Sequence, residues 1–150
     1  LSLVGSEMCI RDRYDEILQY ASQKGALGIL CLESIHGLSY SIKAAVNYLN
    51  TLEKPFRMIF MVADQPYISM NTIDKLMHTK YKLASCAYKD KVGNPTLFDS
   101  SYIPELLLLK EDQGGRKVLN KHPDEVEYIQ VENIRELYDI DYQEDLKQLQ

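Results

Sequence analysis

Met58-Ile59-Phe60-Met61-Val62-Ala63-Asp64-Gln65-Pro66 is the stretch whose reading decides the fold, because an apolar run stops abruptly in an acid, an amide and a proline. Short continuous apolar runs bounded by turn signals read as strands buried on both faces, the kind found in parallel sheets. Pro66 cannot donate a ladder hydrogen bond and holds Gln65 extended, so the strand stops there. Asp64 is therefore expected at the carboxyl end of a central strand, just outside which open α/β sheets bind their ligands. A lone acid there, followed by a rigid turn, can hold a metal ion over a bound phosphate. It can equally do no more than cap the next turn.

Upstream, Leu27 to Leu32 reads as a second buried strand, and Glu33 to Leu38 as a loop running into a helix. Ser39 is a plausible N-cap for that helix, with Ile42, Ala45, Val46 and Leu49 on its inner stripe. Strand, helix and the Met58 strand then form a βαβ unit, a right-handed crossover with parallel strands. Before it, Tyr14, Ile17, Leu18 and Ala21 recur at helical spacing and stop before Gly25.

Downstream, Ser69 or Asn71 can cap a helix whose inner face is Ile73, Leu76 and Met77, and Leu83 to Tyr88 is a further strand. Lys91-Val92-Gly93-Asn94-Pro95 reads as a turn, with Thr96-Leu97-Phe98 as a short edge strand. Ser101 opens a helix that tolerates Pro104 in its first turn and carries Leu106 to Leu109. Gly114-Gly115 ends it, and Arg116 to Asn120 forms a short helix stopped by Pro123. Val126 to Val131 reads as an alternating strand. Asp141 with Glu144 fits a capping box that opens a last helix.

The chain has 150 residues, 45% hydrophobic and 26% charged, enough for one globular domain with a sizeable core. A net charge of −5 argues against non-specific nucleic-acid binding, which needs a basic face. No apolar run approaches the ~20 residues of a membrane span. The three cysteines have no metal-type spacing, and Cys31 and Cys86 sit in apolar runs, as buried thiols of a reducing cytoplasm do. His36, His78 and His122 form no ligand pair. Residues 1–13, Leu-Ser-Leu-Val-Gly-Ser-Glu-Met-Cys-Ile-Arg-Asp-Arg, resemble the translation of a sequencing adaptor and are set aside as a processing scar. On that reading residues 14–150 are a single domain and a fragment of a longer gene product.

Four segments in order resemble the molybdenum cofactor nucleotidyltransferases, closest to the cytidylyltransferase branch of the MobA-like family. Gly37-Leu38-Ser39-Tyr40-Ser41-Ile42 is similar to its glycine-then-serine helix start. Ala63-Asp64-Gln65-Pro66 is similar to its strand-end acid motif. Gly93-Asn94-Pro95 resembles its Gly-His-Pro turn, with Asn94 in place of histidine. Asp139-Ile140-Asp141 followed by Glu144-Asp145-Leu146 resembles its Asp-x-Asp-Thr-Pro-Glu-Asp-Leu ending, with Tyr142-Gln143 in place of Thr-Pro. Asp112-Gln113-Gly114-Gly115-Arg116 lies between them.

The resemblance implies a Rossmann-like, doubly wound, mostly parallel sheet with helices on both faces. It implies transfer of CMP from CTP to a molybdopterin-type molybdenum cofactor with release of pyrophosphate, and possible delivery to a molybdenum hydroxylase. Asp64 would be catalytic. Gly37, Leu38, Ser41 and Asp64 would contact the nucleotide, and Gly93, Asn94 and Pro95 the cofactor substrate. Asp64 and Asp141 would hold Mg²⁺, which binds through one or two carboxylates plus substrate phosphates.

The family's opening strand and its Leu-Ala-Ala-Gly-x-Ser-x-Arg-Met-Gly loop have no match here, so the expectation is weak CTP binding and no turnover for the chain as written. Rival readings are a guanylyl- or sugar-phosphate nucleotidyltransferase and a non-catalytic accessory protein that carries the molybdenum cofactor. A receiver-like α/β domain would cluster acids at its first strand, which this chain does not.

Overall fold

The computed structural model describes residues 19–20, 22–52 and 54–142. The helix expected around Tyr14 to Ala21 and the closing helix after Asp141 fall mostly outside these residues. The chain divides into two compact units, Leu1–Lys54 with Tyr102–Val118, and Pro55–Ser101 with Leu119–Gln150. No helix among the described residues is long and apolar enough to cross a membrane.

The second unit holds a four-stranded sheet of β1 (Arg57–Phe60), β2 (Leu83–Tyr88), β3 (Lys91–Asp99) and β4 (Val126–Gln130), in the order β1-β3-β2-β4. β3 is antiparallel to both β1 and β2, and β4 is parallel to β2. Three strands therefore run one way and β3 alone runs against them, a mixed sheet.

β2 follows its sequence pattern: five of its six residues are buried, from Leu83 to Ala87. Helix α2 (Met70–His78) is capped as expected by Ser69, whose Oγ accepts the Thr72 N–H at 3.1 Å. Its far end is tied down by Arg57, whose guanidinium donates to the carbonyls of Met77 and Thr79. Leu76, Ala84, Cys86, Leu97, Ile129, Val131 and Leu137 form the core of this unit. Burial, with help from the charge of Glu136, pushes the Cys86 thiol up to about 12, so it stays protonated and inert.

Several local expectations change. β1 stops at Phe60, and Met61 and Val62 lie outside the sheet. It is an edge strand among the described residues, paired only with β3, and so is half-buried rather than covered on both faces. The stretch 91–95 is not a turn and 96–98 is not an edge. Both belong to β3, a central strand, and the reversal falls at Lys89–Asp90 instead, with Lys89 at φ 52. Cys86 pairs with Gly93 and Ser85 with Thr96, so Asn94 and Pro95 form a bulge, where a proline costs the ladder nothing.

In the first unit, Leu27 to Leu32 forms no strand. Residues 26–31 are irregular, a 3₁₀ turn covers Leu32–His36, and Leu27, Leu30 and Leu32 are exposed. An apolar run becomes a strand only beside a partner, and none lies next to this one among the described residues of its unit. The expected βαβ crossover is accordingly not formed.

Helix α1 (Leu38–Leu49) buries Ile42, Ala45 and Val46 as expected and packs on α3 (Ile103–Leu107). Its N-cap is Gly37, not Ser39. Gly37 has φ 127, and a Cβ there would lie 2.4 Å from the carbonyl carbon of Glu111 and 2.8 Å from the Asp112 nitrogen. The close approach lets the Ser39 N–H donate to the Glu111 carbonyl at 2.9 Å. A single turn, α4 (Arg116–Leu119), follows the Gly114-Gly115 break.

The last described segment of the second unit, Asn133 to Asp141, lies as a strap along the loop before α2. Glu136 is its anchor, only 5% exposed. Its Oε2 accepts from the Thr72 hydroxyl at 2.6 Å and from the Ser69 N–H at 3.0 Å. Burial alone would raise its pKa. The bonds from Thr72, Ser69 and Asn133 outweigh that and hold the carboxyl below its ordinary value of 4.5. Arg135 lies over the Tyr67 ring at 5.6 Å, and Lys91 Nζ donates to the Leu137 carbonyl at 3.4 Å.

Two outcomes are expected. Gly37→Ala should destabilise the chain by about 1–3 kcal/mol in urea unfolding, because backbone rather than a flexible side chain blocks the new methyl. Glu136→Gln should lose about 1–3 kcal/mol at pH 7. A depressed carboxyl stabilises fully above its unfolded pKa and loses that contribution as pH falls through its folded one, so the gap between parent and variant should shrink below pH 4.5.

Candidate functional site

After β1 the chain leaves the sheet, turns at Ala63-Asp64 and buries Gln65 to 8% exposure, while the Asp64 side chain stays in solvent. Gln65 Nε2 donates to Asp139 Oδ1 at 2.7 Å. The Ile140 N–H donates to the Asp64 carbonyl at 2.8 Å. Asp141 is thus one residue beyond a backbone bond to Asp64 itself, and it too is exposed. Two segments far apart along the chain, Asp64–Gln65 and Asp139–Ile140, are thus tied together in the second unit.

Among the described residues no group of three or more His, Cys, Asp or Glu side chains gathers to hold a metal ion unaided. Two exposed carboxylates suit a different kind of binding. Hard divalent cations accept one or two protein carboxylates and take their remaining oxygens from water and phosphate. The donor set fits Mg²⁺ or Mn²⁺ shared with a phosphorylated substrate.

Gly93, Asn94 and Pro95 lie in the same unit, on the β3 bulge. The Gly93 carbonyl accepts from Ser85 Oγ at 2.8 Å, and a Cβ on Gly93 would be 3.4 Å from Leu137 Cδ2, in the strap. Pro95 is buried and Asn94 half-buried. Gly37, Leu38 and Ser41 belong to the first unit. There Leu38 is exposed, and the buried hydroxyls of Ser39 and Ser41 have no hydrogen-bond partner among the described residues. The Ser39 amide, second in the helix, is already taken by the Glu111 carbonyl, and Gly37 packs directly against the Glu111–Asp112 backbone.

Gln65, Asp139 and Glu136 were not marked as site residues by the sequence pattern. Gln65 carried a faint signal, a polar residue wedged between an apolar run and a proline. Glu136 carried none, because its partners Ser69 and Thr72 lie more than sixty residues earlier.

The MobA-like NTP transferase domain matches residues 2–126 of the chain. A search of curated proteins gives no match. Among solved structures, Rv0371c of Mycobacterium tuberculosis H37Rv superposes with a TM-score of 0.74 at 20% identity, over 96% of this chain and 75% of that one. The same Mycobacterium protein is also known as a complex with manganese, with a TM-score of 0.73 at 19% identity, over 96% and 77% of the two chains. A nucleotidyl transferase from Methanothermobacter gives 0.77 at 14% identity, over 96% and 71%. Molybdopterin-guanine dinucleotide biosynthesis protein A from Archaeoglobus fulgidus gives 0.60 at 19% identity, over 93% and 75%. Identities this low speak for the fold, and the domain match speaks for the lineage. The chain belongs to the MobA-like NTP transferase domain family.

Proposed function

We propose that this nucleotidyltransferase domain serves the transfer of CMP from CTP to a molybdopterin-type molybdenum cofactor. The observation that supports it best is the pair of bonds tying the Asp64–Gln65 turn to Asp139 and Ile140, one residue short of Asp141. Asp64 would act as the catalytic acid-bearing residue, and with Asp141 it would hold Mg²⁺ or Mn²⁺. The manganese complex of Rv0371c lends weight to a divalent ion in this fold. When bound, that ion supplies positive charge against the crowded phosphates.

The chemistry asks little else of the protein. An oxygen of the acceptor's terminal phosphate forms a bond to the α-phosphorus of CTP, while the bond from that phosphorus to the α–β bridging oxygen breaks and pyrophosphate leaves with the electron pair. The attacking phosphate is already ionised at neutral pH, so no side chain has to remove a proton. Positioning and charge compensation do the catalysis. Gly93, Asn94 and Pro95 would meet the cofactor substrate, with the half-buried Asn94 as the member that carries a polar side chain. Gly37, Leu38 and Ser41 remain the proposed nucleotide contacts of the first unit, and the unpartnered Ser41 hydroxyl is the group there with bonding capacity to spare. The free, buried thiols of Cys31 and Cys86 suit a reducing cytoplasm.

Transfer of GMP from GTP to the same cofactor is the second reading, favoured by the likeness to the Archaeoglobus protein. Titration calorimetry with CTP, GTP and UTP in the presence of Mg²⁺ or Mn²⁺ separates the two. CTP is expected to bind weakly but best, and Asp64→Asn to weaken it at least about tenfold. Equal binding by the variant would overturn the assignment of Asp64. Release of pyrophosphate with molybdopterin as acceptor distinguishes a transferase from a carrier.

A further inference from the structure

The strap from Asn133 to Asp141 is fastened along its length, and one of its fastenings is made between two side chains next to the proposed cation ligands. Gln65, adjacent in sequence to Asp64, is buried to 8% exposure and donates from Nε2 to Asp139 Oδ1 at 2.7 Å. Asp139 stands two residues before Asp141. Between them, the Ile140 N–H donates to the Asp64 carbonyl at 2.8 Å. These two bonds close a small ring through Asp64, Gln65, Asp139 and Ile140, and each proposed ligand is a member of that ring or its immediate neighbour.

Resting on the proposed cation site, we infer that Gln65 and Asp139 form a positioning pair that sets Asp141 against Asp64, and that Asp139 is not itself a ligand. Three arguments carry this. A buried amide that spends its donor on a carboxylate holds that carboxylate in one orientation, because leaving either group unpaired costs more than the bond gains. A residue that orients a ligand from behind is typically worth 10–100-fold in metal affinity. And the segment that carries Asp141 gets no help from regular secondary structure in holding its course, since Ile134–Leu137 is only a 3₁₀ turn and residues 138–141 have no regular structure, so side-chain bonds such as Gln65–Asp139 help to fix it.

The test is Mn²⁺ binding, read by electron paramagnetic resonance of the free ion with the metal alone, alongside urea unfolding and hydrogen exchange of the Ile140 amide. Gln65→Leu should weaken Mn²⁺ about 10–100-fold and speed exchange at Ile140. The exchanged pair, Gln65→Glu with Asp139→Asn, keeps the net charge and turns the bond around, so it should return Mn²⁺ affinity to within about threefold of the parent. Asp139→Asn alone retains an oxygen that can accept from Gln65 and should stay within about threefold. A loss in Asp139→Asn as large as in Asp64→Asn would make Asp139 a ligand and overturn the inference, and this arm stands even where Gln65→Leu fails to fold. Parent-like Mn²⁺ binding by Gln65→Leu, or no recovery in the exchanged pair, would also overturn it while leaving the cation site intact if Asp64→Asn and Asp141→Asn lose the metal. Parent-like binding by those last two variants would remove the cation site and the positioning pair together.

Discussion

One backbone hydrogen bond, from the Ile140 N–H to the Asp64 carbonyl, carries the arrangement of the candidate site. It is a long-range bond in a short irregular segment, so it needs company to survive the entropy of ordering the residues around it. Glu136 provides that company four residues earlier in the strap, accepting from Ser69 and Thr72 at the start of α2. The helix cap and the strap are therefore a single construction. Ser69 caps α2 with its hydroxyl while its own N–H fastens the strap.

This arrangement explains why a buried glutamate is tolerated. A carboxylate removed from water is costly unless its lone pairs are met, and here charge-assisted bonds meet them. The same carboxylate lies near Cys86 and reinforces the effect of burial on that thiol. The core under the strap is apolar and includes Leu137, so the strap contributes a hydrophobic plug as well as polar fastenings.

How much of this was legible in the sequence depended on whether the signal was local. Leu83 to Tyr88 and the Ser69-capped helix declare themselves within a few residues, and both are present. Asp64 at the end of an apolar run was readable for the same reason. Leu27 to Leu32 has the composition of a strand, but strand formation is decided by a neighbour, and composition does not show whether one is there. Gly93-Asn94-Pro95 carries strong turn chemistry, yet a bulge asks for the same residues, and the deciding fact is that β3 is flanked by β1 and β2. The role of Gly37 was half visible. Its freedom at φ 127 was foreseeable, while the Glu111 backbone lying against it was not. Gln65 and Asp139 could be paired only once the chain had folded back on itself.

The strap also dictates an order of events at birth. Asp64 leaves the ribosome long before Glu136 and Ile140 do, and at about 5–20 residues per second the acid waits several seconds for its partner. Throughout that interval a nascent polypeptide has an open turn after β1 and an uncovered face at the start of α2. The turn after β1 and the start of α2 therefore stay without the strap's bonds until Glu136 and Ile140 emerge.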